Sequence, residues 1–469
     1  MAALAERARP RVVREHPRAG WFAVGAVCFG AFMGQLDASI VTLTFPALQR
    51  EFVDPMAAVQ WVSLAYLLTL VGLLAAVGRI ADAAGRKLTY GHGFAVFTAA
   101  SVACGLAPSL GWLIAFRVVQ AVGAAMLQAN SVALVVTSVP KAKMRAALGV
   151  QAAAQALGLA LGPTVGGLLV TTAGWRWVFL VNVPVGIIGL IAGRYLLPRT
   201  RERTPLGRFD TAGVVLLATA STAILLALSV LSGLEFPMWS AAALALIGVA
   251  AAAGFARREA TAANPVVCLK MLRSPVVALG LTGALCGYLV LFGPLTLLPQ
   301  VLGAQVGLVL TSLPAGFAVA AVAADRMLPS KLGTRGRVLV GAAASVAGCA
   351  ALVVTVHSGV LAGVSLFVLG LGLGVFIPAN NSAIMGAIPA RSSAAGGGLV
   401  NMARGLGTAL GVALVTLCLH AGGAMGTVLA LGALAVAGAV AGATGFAVCR
   451  AQNAELPGGV TLASESKAS

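Results

Sequence analysis

The sequence predicts an all-α membrane protein of fourteen transmembrane helices, and three observations predict it. Apolar runs longer than about 18 residues recur from Trp21 to Val448, each long enough to cross a bilayer. Only 9% of the 469 residues are charged, against roughly 25% in a soluble protein, too few to cover a water-facing surface. Basic residues collect between alternate pairs of those runs. Lipid offers the backbone no hydrogen-bond partner, so only helices or closed barrels span it. The short alternating segments of a barrel are absent from the sequence.

Taken in order, helices are expected at 21–46, 57–79, 88–107, 110–135, 146–170, 177–197, 211–232, 237–256, 275–298, 304–324, 337–356, 359–386, 395–419 and 424–448. The first run is too long for a cleaved leader and no small-residue cleavage site follows, so it is expected to remain as the first span. The stretch 304–324 contains Pro314 and is the least regular of the set. With the N-terminus in the cytoplasm, 27 of the 31 basic residues fall in cytoplasmic segments. Arg50 and Arg176 fall outside, and Arg117 and Arg404 lie within helices. A missed or extra helix would scramble this parity downstream, so the bias predicts both the count and the cytoplasmic placement of both termini. The formal charge of +18 suggests nucleic acid at first sight, but the basic residues form no single patch.

Gly149, Gly158 and Gly162 of the fifth helix have the spacing of Gly398, Gly407 and Gly411 of the thirteenth. Repeated halves with a site between them are a common transporter plan. The expected organisation is a cytoplasmic tail at 1–20, a six-helix half at 21–200, two inserted linker helices at 201–260, a second six-helix half at 261–450 and a disordered cytoplasmic tail at 451–469. The seven cysteines are scattered and suit packing rather than a disulfide frame or metal site. No nucleophile–base set, metal cluster or nucleotide loop is present in the sequence, so neither an enzyme, a cofactor nor direct ATP use is expected.

Of the thirteen acidic residues, Asp37 alone sits well inside an expected span. Intramembrane carboxylates are expensive and mark ion pathways by default. The plainer reading is a structural ion pair, and the functional one is a proton carrier. Arg117 in the fourth helix lies at a similar depth and is its expected partner. Arg117, Gln120, Ala124, Gln128 and Ser131 make one polar stripe at helical spacing. In the fifth helix Gln151 and Gln155 lead into Gly158, Gly162 and Gly166, with Pro163 permitting a kink and Gly167 following. The glutamines are expected to face a cavity and the glycines to let a neighbouring helix approach. Gly78 to Lys87 reads either as a tight cytoplasmic turn with anchoring basic residues or as a gating element, in which Gly78 and Gly85 shape the turn and Asp82, near the start of the third helix, pairs with a basic residue such as Arg86 as a charge latch. Gln35, Tyr66, Tyr288, Asn380, Asn381, Asn401 and Arg404 complete the expected cavity lining. His92, His357 and His420 lie near helix ends and suit interfacial packing.

Several of these segments resemble signatures of the major facilitator superfamily, in particular its fourteen-helix drug:proton antiporter branch. Gln35-Leu36-Asp37-Ala38-Ser39-Ile40-Val41 resembles the branch's first-helix signature, and Gly78 to Lys87 the superfamily's cytoplasmic-loop motif. Leu113 to Gln120 resembles the helix-four motif linked to proton transfer, and Leu161-Gly162-Pro163-Thr164-Val165-Gly166-Gly167 the antiporter motif. Pro378 to Asn381 and Asn401 to Arg404 resemble C-terminal signatures of the branch. Ala121 replaces a glycine usual after the helix-four glutamine, and the second-half counterpart of the loop motif around Asp325 and Arg326 is degraded. The resemblance implies a monomeric exporter of small amphipathic molecules across the cytoplasmic membrane, driven by the proton gradient through alternating access. Its partners are then the substrate, protons and the bilayer. A dedicated exporter of one endogenous metabolite and a non-transporting membrane sensor are the competing readings. Asp37 is opposed by Arg117 and Arg404, so neutral, weakly anionic or at most monocationic substrates are expected over dications.

Overall fold

The computed structural model describes residues 9–140, 143–200, 210–262, 269–302, 306–327, 329, 333–388 and 393–454, and every regular element among them is helical. Of the tail expected to be disordered at 451–469, residues 451–454 continue the last helix and the remainder lies outside the described residues. The long helices are α1 (Ala19–Ile40), α2 (Trp61–Ala84), α3 (Arg86–Gly105), α4 (Leu110–Ser138), α5 (Met144–Thr172), α6 (Asn182–Leu196), α7 (Thr211–Leu231) and α8 (Met238–Thr261). They continue with α9 (Pro275–Leu302), α10 (Gly307–Met327), α11 (Thr334–Thr355), α12 (Gly359–Gly386), α13 (Ser393–Gly422) and α14 (Gly426–Ala454). Among the described residues, eleven helices are long and apolar enough to cross a membrane. Shorter apolar stretches run over Leu157–Thr172 in α5 and Gly307–Ala320 in α10. In α3, Tyr90, His92 and several glycines dilute the apolar run.

Helix packing repeats at an offset of eight helices. The pairs α1·α5, α1·α6, α1·α4, α2·α4, α3·α4 and α3·α6 recur as α9·α13, α9·α14, α9·α12, α10·α12, α11·α12 and α11·α14. Two large apolar cores follow this division. One gathers chiefly residues of α1 to α6, such as Tyr90, Phe94, Phe97 and Phe179, and the other residues of α9 to α14, such as Phe292, Leu369 and Phe376. The two groups meet through α5·α10 and through α2·α13, a pair of contacts that the same offset interchanges. α7 and α8 pack on each other, and α7 also touches α2 and α13. Its Ser229 hydroxyl receives hydrogen bonds from Gln60 Nε2 and Trp61 Nε1, both at 3.0 Å.

Two boundaries differ from expectation in ways that bear on the site. The first helix does not stop at Pro46: it passes through a 3-10 turn (Val41–Thr44) into a short helix (Phe45–Phe52), which also takes in Arg50. Proline is tolerated there because the amides of a first helical turn have no intrahelical partner. The expected Gly78–Lys87 loop is mostly helix, with Gly85 as the one-residue break between α2 and α3. Its φ of 119° lies where only glycine is unstrained. The backbone of Asp82 therefore belongs to the last turn of α2 rather than to the start of α3; its side chain lies outside those described. Pro314 does not interrupt α10, nor do Pro163, Pro294, Pro299 and Pro378 interrupt their helices. Packed neighbours in membrane bundles re-satisfy the carbonyls that proline frees.

Candidate functional site

Asp37 lies where α1, α2, α4 and α6 converge. Arg117 Nη1 donates to its Oδ2 at 2.6 Å, Asn182 Nδ2 to its Oδ1 at 3.0 Å and Gln120 Nε2 to the same oxygen at 3.2 Å. Arg117 is anchored in turn: Nε donates to the Val62 carbonyl at 2.9 Å, and Nη1 also reaches Gln120 Oε1 at 2.6 Å. Gln120 Nε2 donates at 2.8 Å to Ser101 Oγ as well, which brings in α3. Asp37, Ser101, Arg117, Gln120 and Asn182 are each at most 1% exposed. A charge so deeply buried is tolerable only when paired and hydrogen-bonded, and here the polar groups of five helices do that work.

One ring separates this network from a cavity. The Tyr66 ring lies with its centroid 4.0 Å from the Arg117 guanidinium carbon, a cation–π contact on the face of the cation. Tyr66 also lines a cavity of about 30 Å³ between the two groups of helices. Gln35 and Ala38 of α1, Gln128 of α4, Phe292 of α9, and Asn401, Arg404 and Thr408 of α13 share the lining, with leucines of α2. Arg404 Nη2 donates to Gln128 Oε1 at 2.8 Å, which ties α13 to α4 across the two groups. Drug-sized ligands need about 300 Å³ or more, so the cavity as it stands is too small to hold one.

The expected site residues divide by position. Asp37, Arg117 and Gln120 join in the sealed network, and Gln35, Tyr66, Gln128, Asn401 and Arg404 line the cavity. Asn380 packs against α9 instead, its Nδ2 donating to the Gly280 carbonyl at 2.8 Å. Gln151 and Gln155 on α5, Tyr288 on α9 and Asn381 on α12 are not among the described cavity-lining residues. Tyr288 packs against the second apolar core.

The glycines of α5 present two faces. A Cβ on Gly158 would meet the Phe32 carbonyl, one on Gly162 the Ser39 side chain and one on Gly166 Ile40, so this stripe seats α1 within the same helix group. Gly407 and Gly411 seat α13 on Leu285 and Leu289 of α9 in the equivalent way. The adjacent face of α5 carries the contact between groups: a Cβ on Gly307 of α10 would meet the Pro163 carbonyl and Gly167, and the Thr164 and Thr311 hydroxyls hydrogen-bond there. Gly78 faces Ala129 of α4, Arg86 opens α3, and neighbouring Lys87 Nζ donates to the Leu197 carbonyl at 2.9 Å.

Asn182 and Ser101 were not anticipated. The signal for Asn182 was available, since it is a carboxamide inside the apolar run 177–197, the kind of residue singled out at Gln120. Ser101 had no signal, because serines are frequent in these helices and only the fold selects this one.

This fold and site define a membrane transporter. The chain belongs to the major facilitator superfamily, whose model matches residues 27–412. It is 32% identical to the tetracenomycin C resistance and export protein of Streptomyces glaucescens, over 84% of this chain and 75% of that one. It is 29% identical to a riboflavin transporter of Clostridioides difficile, over 84% of this chain and 87% of the relative. The crystal structure of the peptide transporter POT in complex with alafosfalin superposes with a TM-score of 0.69 at 15% identity, covering 96% of this chain and 98% of that one. That likeness concerns the fold alone. The protein is thus a multi-pass transporter of the cell membrane, related to antibiotic exporters.

Proposed function

We propose that the protein is a proton-coupled antiporter that exports small amphipathic molecules, antibiotics among them, by alternating access. The observation that carries this is the placement of a sealed Asp37–Arg117 pair one aromatic ring from a cavity between two repeated helix groups. Asp37 takes up and releases the proton. Arg117, Gln120 and Asn182 hold the carboxylate when the proton is absent, and they must rearrange when it arrives. Tyr66 carries motion between cavity and ion pair. The two helix groups act as rocking halves, 21–200 and 261–450, with α7 and α8 as an inserted linker pair. Their repeated packing and the two interchangeable contacts support this division. With α3, α5 and α10 counted as spans, the chain crosses the bilayer fourteen times and both termini are cytoplasmic. The gradient is the only energy source required, and a single chain holds the whole site.

The test uses proteoliposomes with an imposed pH gradient and a panel of amphipathic compounds. Wild type is expected to move at least one compound against its concentration gradient, and Asp37→Asn none. Equal gradient-driven transport by Asp37→Asn would remove the carboxylate from the mechanism. The riboflavin-transporter relative supports a second reading, a dedicated metabolite transporter on the same fold. A response of proton flux to one compound of the panel alone would select it.

A further inference from the structure

The cavity carries one charged group, and that group is a cation. Arg404 is half-buried, and among the described residues it has neither an ion-pair partner nor any acceptor but Gln128 Oε1. A guanidinium offers five N–H donors in a planar fork that matches a carboxylate or similar oxyanion. Apart from the contact to Gln128, these donors have no protein acceptor among the described residues, and a ligand oxyanion would supply a charge-assisted one in matching geometry. A second group points the same way. Tyr66 lines the same cavity, is 1% exposed, and its hydroxyl finds no partner among the described residues. A phenolic O–H can donate to an oxyanion. Asp37 would compete for a cationic ligand, but it is sealed behind Tyr66 and already receives three donors. The remaining walls, Leu67, Leu70, Val71, Leu74 and Phe292, suit a flat apolar body.

We infer that the transported molecules carry an oxyanion, a carboxylate or an acidic phenol or enol on an apolar body, which docks on Arg404 and the Tyr66 hydroxyl. This rests on the transport reading above and narrows its substrate class from amphipathic molecules in general to acidic ones. Gln128 is the stand-in acceptor: its amide oxygen accepts from Arg404, and an arriving oxyanion displaces it. Binding therefore releases the contact between α4 and α13 as the substrate enters.

The experiment compares three fluorescent probes of one shape and different charge: 9-anthracenecarboxylate, its neutral carboxamide and the cationic 9-aminomethylanthracene. Each is titrated by fluorescence polarisation against purified protein in lipid nanodiscs at neutral pH. The carboxylate is expected to bind about tenfold tighter than the amide, the worth of one charge-assisted hydrogen-bonded contact, and the cation weakest. Arg404→Gln is expected to abolish the carboxylate's advantage, and Arg404→Lys to retain part of it, since the charge remains but the fork is lost. Tyr66→Phe is expected to reduce the advantage while the ring still covers Arg117. Preference for the cation, equal binding of all three, binding of none, or an undiminished carboxylate preference in monodisperse Arg404→Gln overturns the inference. Vesicle transport separates this from the parent reading. If a pH gradient drives the amide or the cation but carboxylate preference is missing, antiport stands and the acidic-substrate inference falls. If the carboxylate binds through Arg404 but no gradient moves it, the inference stands and proton coupling falls.

Discussion

At the scale of single residues, the site turns on how a charge is kept inside a bundle. Asp37 and Arg117 stabilise each other only as a set with Gln120, Asn182 and the Val62 carbonyl. Removing one partner of a buried pair leaves the other charge stranded, at a typical cost of about 3–5 kcal/mol. Arg117→Met is therefore expected to destabilise the protein by about that much in a thermal or denaturant melt in detergent. Asp37→Asn keeps the shape and can still accept from Asn182, but it leaves Arg117 buried without its counter-charge, so it is expected to destabilise by a similar amount. If both variants melt like wild type, the network contributes no more than packing. The pair was legible in the sequence because an Asp and an Arg at equal depth in apolar runs invite pairing. Asn182 and the stacking of Tyr66 on Arg117 were not. They depend on how α2 and α6 are rotated about their own axes, and an apolar helix gives little periodic signal for that rotation.

At the scale of helices, glycine decides how closely neighbours approach. The Gly158–Gly162–Gly166 stripe holds α5 against α1, the helix that carries Asp37. Gly162→Leu would drive a side chain into Ser39, two residues from Asp37, and push α1 out of register. Transport is expected to fall at least about tenfold, with the protein still inserted, because a displacement of about 1 Å at a site can cost two orders of magnitude. Unchanged turnover would place that face away from any functional contact. Gly307→Leu acts at a different joint: it would wedge α10 away from Pro163 and Gly167. A cysteine placed at Thr311 should then become reactive to a membrane-impermeant maleimide; continued protection would show that this joint does not gate. The sequence made the glycine stripe conspicuous, but not which helix it faces. Spacing gives the face of a helix, while only the assembled bundle gives its neighbour. The Gly78–Lys87 turn was misjudged for a local reason, since a single glycine at positive φ separates α2 from α3 without any loop.

For the whole molecule, two signals in the sequence were strong enough to carry the architecture. Apolar run length placed each long helix, because a bilayer thickness imposes a minimum that soluble helices need not meet. The distribution of basic residues predicts the orientation. A green fluorescent protein fused after Arg450 is accordingly expected to fluoresce, and alkaline phosphatase fused at the same point to be inactive. The reverse would invert the topology. The repeated packing pairs were foreshadowed only by the glycine spacing, because sequence similarity between repeats fades faster than the packing it encodes. Between the two helix groups lies a cavity bridged by the Arg404–Gln128 hydrogen bond and separated from Asp37 by Tyr66, an arrangement in which, on the proposed function, a substrate and a proton would compete without touching. On the proposed mechanism, substrate bound against Tyr66 favours the arrangement in which the ring covers Arg117 and Asp37 stays paired and unprotonated, while protonation of Asp37 loosens the pair and disfavours that arrangement. The most direct measurement of that coupling is proton release on substrate binding, followed in weakly buffered detergent solution with a pH-indicator dye. Wild type is expected to release protons when a transported compound is added, and Asp37→Asn to bind the compound without release. Equal release from the two proteins would contradict the account.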